Sequence, residues 1–164
     1  MDESLVECLN NMFLAIHLII GAVIGAYIKN IPLAIAIALA IHYLLDIIPH
    51  IDYPIKNDER DQWRKLFKGG SKMVADFGVG LLAIFMFSDN SPFIYACALV
   101  SASPDFSTAL KYLFPGNKIL EKHYNFHAIK IHQFKDADIS KFWRLVIQAI
   151  IVIISLSLLN KTYC

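Results

Sequence analysis

Ile31-Pro32-Leu33-Ala34-Ile35-Ala36-Ile37-Ala38-Leu39-Ala40-Ile41-His42-Tyr43-Leu44-Leu45-Asp46-Ile47-Ile48 carries its imidazole and its carboxylate, His42 and Asp46, only in its last two turns. From Leu33 to Ile41 the side chains alternate in size but never in polarity. A half-buried strand would alternate apolar with polar, so the run reads as a helix. Its length is that of a helix crossing a hydrocarbon core of about 30 Å, where the backbone must satisfy its own hydrogen bonds.

Four further apolar blocks flank this one, at about 12–28, 72–87, 91–110 and 142–159, with the charges between them. The 164-residue chain is 57% hydrophobic and 18% charged, against roughly 45–50% and about 25% in soluble domains. One domain of this size cannot hide that excess from water. The sequence therefore predicts an all-α, polytopic membrane helix bundle, a single integral domain of about five spans. Loops at about 49–71 and 111–141 join them, the second holding an interfacial helical segment with Ile119, Leu120, Tyr124 and Ile131 among lysines.

Net charge is +1, from 15 basic and 14 acidic residues, which excludes a basic nucleic-acid-binding domain. Cys8, Cys97 and Cys164 are far apart and in no CxxC spacing, which excludes a disulfide scaffold and a cysteine metal site. Asp2, Glu3 and Glu7 occupy the place where a secretory signal would be positive, so the first block reads as a retained span. The segments 56–72 and 111–144 hold 13 of the 15 basic residues. The positive-inside rule then sets the N-terminus in the cytoplasm and the C-terminus outside.

Ionisable residues inside spans are costly and mark functional sites. Here they are His17, His42, Asp46, Asp76 and Asp105. With this topology all five fall within roughly 10 Å of the cytoplasmic interface, at about 1.5 Å per helical residue. Each shares a helix face with small or polar residues: His17 with Gly21 and Gly25, His42 and Asp46 with Ala34 and Ala38, Asp76 with Gly80, Asp105 with Ser101. Such faces let membrane helices approach closely, so the polar groups are expected to converge.

The sharpest motif is His42-x-x-x-Asp46-x-x-Pro49-His50-x-Asp52. Positions 42 and 46 are one turn apart and can hold one cation from a single helix face. Pro49 forces Ile48 out of helical geometry and turns His50 and Asp52 toward the same mouth. Pro104 is expected to interrupt the fourth span beside Asp105 and free carbonyls there. His123 and His127, one turn apart, are further candidate ligands, with His132 beyond them. Mixed His and Asp donors suit a divalent metal, zinc or manganese, which polarises a scissile bond and acidifies a water. Asp76 or Asp105 is then the general base.

This pattern, the motif at 42–52 with a His in the first span, an Asp in the third, Pro104-Asp105 and a downstream His pair, resembles the small prokaryotic inner-membrane proteins described as predicted membrane-bound metal-dependent hydrolases. That pattern is in turn similar to zinc-dependent phospholipase C/D-type domains. The resemblance implies a metal-dependent hydrolase at the cell (inner) membrane, with His17, His42, Asp46, Asp76, Asp105 and His127 as ligands or base. The family often places another acidic residue soon after Pro-Asp; here Phe106, Ser107 and Thr108 follow, which supplies no ligand for a second metal at that position.

The expected substrate is a membrane lipid or other amphiphile with a phosphoester head group at the cytoplasmic interface. The alternatives are a transporter of divalent cations or protons, and a non-catalytic membrane protein. A transporter needs polar groups through the full thickness, and the outer halves, Ile31–Ile41, Val79–Phe87 and Phe93–Val100, carry almost none.

Overall fold

A computed structural model describes residues 14–48, 62–114, 116–127 and 140–161, without the side chains of 62–70, 112 and 141. Among the described residues all regular structure is helical: α1 (Leu14–Tyr27), α2 (Ile31–Ile47), α3 (Gln62–Phe87), α4 (Pro92–Leu113), α5 (Lys118–Tyr124) and α6 (Lys141–Asn160). α5 runs on through a wider π turn at 125–127. The all-α expectation holds. Two stretches, Pro92–Lys111 and Phe142–Asn160, are long and apolar enough to cross a membrane; α1 and α2 are apolar but shorter.

Local chemistry sets the helix ends. Asn30 caps α2 by accepting from the Leu33 amide at 3.0 Å, with Pro32 in the first turn. Ser91 and Pro92 do the same for α4, since proline loses nothing where the amide has no helical partner. Ile48 leaves α2 in an extended conformation (ψ 132°), as a residue ahead of Pro49 is forced to do. Between α3 and α4, Asn90 takes the left-handed region (φ 58°), which asparagine tolerates better than most residues. Its amide donates to the Phe85 carbonyl and its carbonyl accepts from the Tyr95 hydroxyl at 2.6 Å.

Two expectations need correction. The segment 62–71, read as part of a loop, is the first third of α3; its lysines, arginine and glutamine end an apolar stretch but are good helix formers. Pro104 does not interrupt α4, which continues to Leu113. Proline deprives the Val100 carbonyl of its partner four residues on, and the Ser103 hydroxyl donates to that carbonyl at 2.8 Å instead.

α1 is the central helix, packed against α2, α3, α4 and α6, while α4 also carries α2 and α5. Glycines make this possible. A Cβ on Gly21 would lie 2.6 Å from the Cys97 carbonyl oxygen, one on Gly25 2.9 Å from Ile94 Cα, and one on Gly80 2.9 Å from Ala15 Cα. Ala34 and Ala38 bury α2 against Cys97 of α4. Leu14, Leu18, Ile84, Ile94 and Leu159 fill the middle, and the Tyr27 hydroxyl ties α1 to the Leu158 carbonyl of α6. Many large apolar side chains point outward, Phe85 and Ile153 at 63% and 64% exposure among them.

Candidate metal centre

Helix positions decide which side chains meet. His17 stands one turn into α1; His42 and Asp46 are one turn apart on the face of α2 that also buries Ala34 and Ala38. Asp105 follows Pro104 on α4, and His127 is the last described residue of the π turn after α5. Among the described residues, donor atoms of His42, Asp46, Asp105 and His127 all lie within 4.8 Å of one another. Asp46 Oδ2 is 2.7 Å from His127 Nε2 and 3.1 Å from His42 Nε2. Asp105 Oδ1 is 3.8 Å and 3.9 Å from the same two nitrogens, and these are 2.9 Å apart. His17 joins from the other side, its Nε2 3.3 Å from Asp46 Oδ1 and 3.9 Å from Asp105 Oδ2.

With these separations the four residues could hold one ion between them. Ligands at about 2.0–2.1 Å from a tetrahedral ion are about 3.3–3.4 Å from each other, in the middle of the observed range. The imidazole protonation leads to the same place. The Thr108 hydroxyl has one proton, which the 3.2 Å contact to the Pro104 carbonyl takes. With the proton placed there, the hydroxyl accepts from His127 Nδ1–H at 3.0 Å, and in that tautomer a neutral His127 turns an Nε2 lone pair toward Asp46 Oδ2. A lone pair and a carboxylate oxygen at 2.7 Å repel unless a cation, proton or metal, lies between them. The hydroxyl that fixes this tautomer is the kind of outer partner metal-bound histidines have.

His42, His127 and Asp46 are almost fully buried, and the Asp105 side chain is 28% exposed. Asp105 is therefore the opening of the site. The His123 ring lies 5.5 Å from that of His127 but outside the converging set. Burial, and then the nearby His127 and His42, push the His123 imidazole below its ordinary value, Asp105 opposing them. Tyr43 packs edge-on against His127, and Lys111 stands 3.5 Å over the Tyr124 ring, holding α5 to α4.

Asp76 lies apart from this group. Its Oδ2 accepts from the amides of Leu14 and Ala15 at 2.6 and 3.3 Å. It stands beside the first described turn of α1, outside the converging donors. Its small-residue face turned it inward as expected, toward backbone amides of α1 and not toward the cluster. His50, Asp52 and His132 lie outside the described residues. Thr108 is the residue that sequence reading passed over. Its place, three residues after Asp105 and four after Pro104, put it on the ligand face of α4.

Compared with protein-family models, curated proteins and solved structures, the chain matches none of them.

Proposed function

We propose that this chain is a polytopic membrane protein of five spans, α1 to α4 and α6, that holds a divalent metal, zinc first and manganese second, and hydrolyses a phosphoester-containing amphiphile at the cytoplasmic face of a prokaryotic inner membrane. The observation that carries the reading is the meeting of His42, Asp46, Asp105 and His127 from three separate parts of the chain within 4.8 Å. Four buried or half-buried donors brought together inside a bundle of apolar helices are expensive without an ion to share them. The family resemblance of the 42–52 pattern points to the same chemistry.

In this reading the metal supplies Lewis acidity and an acidified water. The chain's own residues do the rest. Thr108 keeps the His127 Nε2 lone pair toward the centre. Asp105, the most exposed of the four, meets the substrate at the mouth and takes the proton of the attacking water. The basic flanks supply countercharge for a phosphate head group, although topology alone also requires them. Transport of the ion is disfavoured: toward the other end of the bundle the space between α2 and α4 is closed by Ala34, Ala38 and Cys97, with Ile24, Ile28, Phe93 and Val100 packed on them.

The test is metal analysis of the detergent-purified protein beside Asp46→Ala and the near-isosteric Asp46→Asn. Stoichiometric zinc or manganese in the wild type and its loss in both variants is the expected result. A wild type without metal after chelator-free purification would sink the reading. With metal present, release of head groups from a phospholipid panel separates a hydrolase from a metal-binding protein of another kind.

A further inference from the structure

We propose that the centre holds two metal ions bridged by Asp46 and Asp105, with His17 as the terminal ligand of the second. The proposal rests on the metal reading above and extends it to a position outside the four-residue group. Both carboxylates divide their oxygens in the same way. Asp46 turns Oδ2 to His42 and His127, at 3.1 and 2.7 Å, and Oδ1 to His17 at 3.3 Å. Asp105 turns Oδ1 to His42 and His127, at 3.9 and 3.8 Å, and Oδ2 to His17 at 3.9 Å. One carboxylate split between two sets of nitrogen donors is an ordinary bidentate contact. Two carboxylates split in the same sense, between the same two sets, define two positions side by side.

The two positions differ in what the chain offers. On one side are two imidazoles and two carboxylate oxygens, the full set of a closed tetrahedral site. On the other are His17 and two carboxylate oxygens, three donors that leave one coordination position open, as catalytic sites do. His17 is 5% exposed, so its ring is fixed by packing in the bundle. Asp105, the exposed carboxylate, is common to both positions, so the ligand count alone distinguishes them. The second ion thus draws on the N-terminal span for its ligand. It does not need the acidic residue that is missing after Asp105.

The division of labour follows from the ligand count. The closed position organises α2, α4 and the π turn after α5, and the His17 position presents the open coordination site to a phosphoester; with both Asp105 oxygens bound, the proton of the attacking water leaves to solvent at the mouth and not to that carboxylate. Paired metals about 3.5–4 Å apart stabilise both the attacking and leaving oxygens of a displacement.

The test is the number of metal ions per chain in detergent-solubilised full-length protein, with zinc added to saturation and excess removed. Two equivalents in the wild type and one in His17→Gln are expected. One equivalent in the wild type overturns the inference while leaving the single-metal reading intact, and none overturns both. Two equivalents retained in a folded His17→Gln also overturn it. Should His17→Gln fail to fold, manganese-loaded wild type decides the bridging: a spin-coupled pair in electron paramagnetic resonance supports it and isolated ions refute it. Cobalt-loaded His17→Cys decides the ligand, because a thiolate-to-cobalt charge-transfer band appears only if residue 17 is bound.

Discussion

Two polar residues that share an interior environment do different work, and substitution should separate them. Thr108 touches the centre only through His127, by one hydrogen bond of 3.0 Å to Nδ1. Thr108→Val keeps the shape and removes that acceptor, so His127 loses both its tautomer control and its orientation. Zinc affinity is expected to fall by about 10–100-fold, with Thr108→Ser close to wild type, read by competition with a chromophoric chelator. Asp76 gives the opposite pattern. Its Oδ2 serves the Leu14 and Ala15 amides, so Asp76→Ala should cost about 0.5–2 kcal/mol, as loss of a helix cap does, and lower Tm without changing bound metal. Loss of metal at unchanged Tm would instead make Asp76 part of the centre. Thr108 was legible in the sequence only by position, since a threonine in a helix signals nothing by type; Asp76 was legible by type, but type alone does not give its role, because a buried carboxylate serves amides as readily as cations.

Helices, as elements, were read from the sequence closely where burial is uniform and poorly where charge enters. The second block, 31–48, became α2 (Ile31–Ile47), because Asn30, Pro32 and Pro49 punctuate it. The third began ten residues early, at Gln62, because Arg64, Lys65 and Lys68 signal the end of an apolar stretch and not the end of a helix. The meeting of His17, His42, Asp46 and Asp105 was legible as shared small-residue faces, since glycine and alanine spacing fixes which faces touch. How α5 brings His127 over the mouth was not, because a π turn has no period to read. The glycine faces carry their own prediction. Gly21→Ala sets a Cβ 2.6 Å from a backbone oxygen and 2.7 Å from Ser101 Cβ, so α1 and α4 must part, at about 1–3 kcal/mol for overpacking. Gly78 has nothing within 4 Å of an added Cβ, and Gly78→Ala should be neutral or stabilising by about 0.5–1 kcal/mol. Thermal unfolding of both variants in detergent checks the contrast; equal Tm values would mean that α1 and α4 are not held this closely.

For the molecule as a whole, the outward and inward faces invert the usual order of a water-soluble domain. Ile31, Leu39, Leu82, Phe85, Met86, Ile150 and Ile153 are exposed, while His17, His42, Asp46, Ser101 and Gln148 are buried. Water-soluble proteins rarely expose apolar patches beyond a few hundred Å², and a hydrocarbon solvent removes the conflict. α1 and α2 are shorter than α4 and α6, but the 17 residues of α2 still reach the lower end of the spanning range of about 17–25. In the five-span reading proposed above, the turn at 28–30 lies outside and α5, with the candidate metal centre beneath it, lies on the cytoplasmic side where the positive-inside rule puts the basic flanks. Lys29 and Lys118 are both exposed, on the α1–α2 turn and at the start of α5, and the five-span reading puts them on opposite faces. In a background with Cys8, Cys97 and Cys164 replaced by alanine, Lys29→Cys should react with a membrane-impermeant maleimide in intact bacterial spheroplasts. Lys118→Cys should react only after the membrane is opened. The reverse pattern would invert the orientation and move the substrate to the outer leaflet without dispersing the centre. Equal labelling of both positions in sealed spheroplasts would place the two on one side and exclude the five-span arrangement.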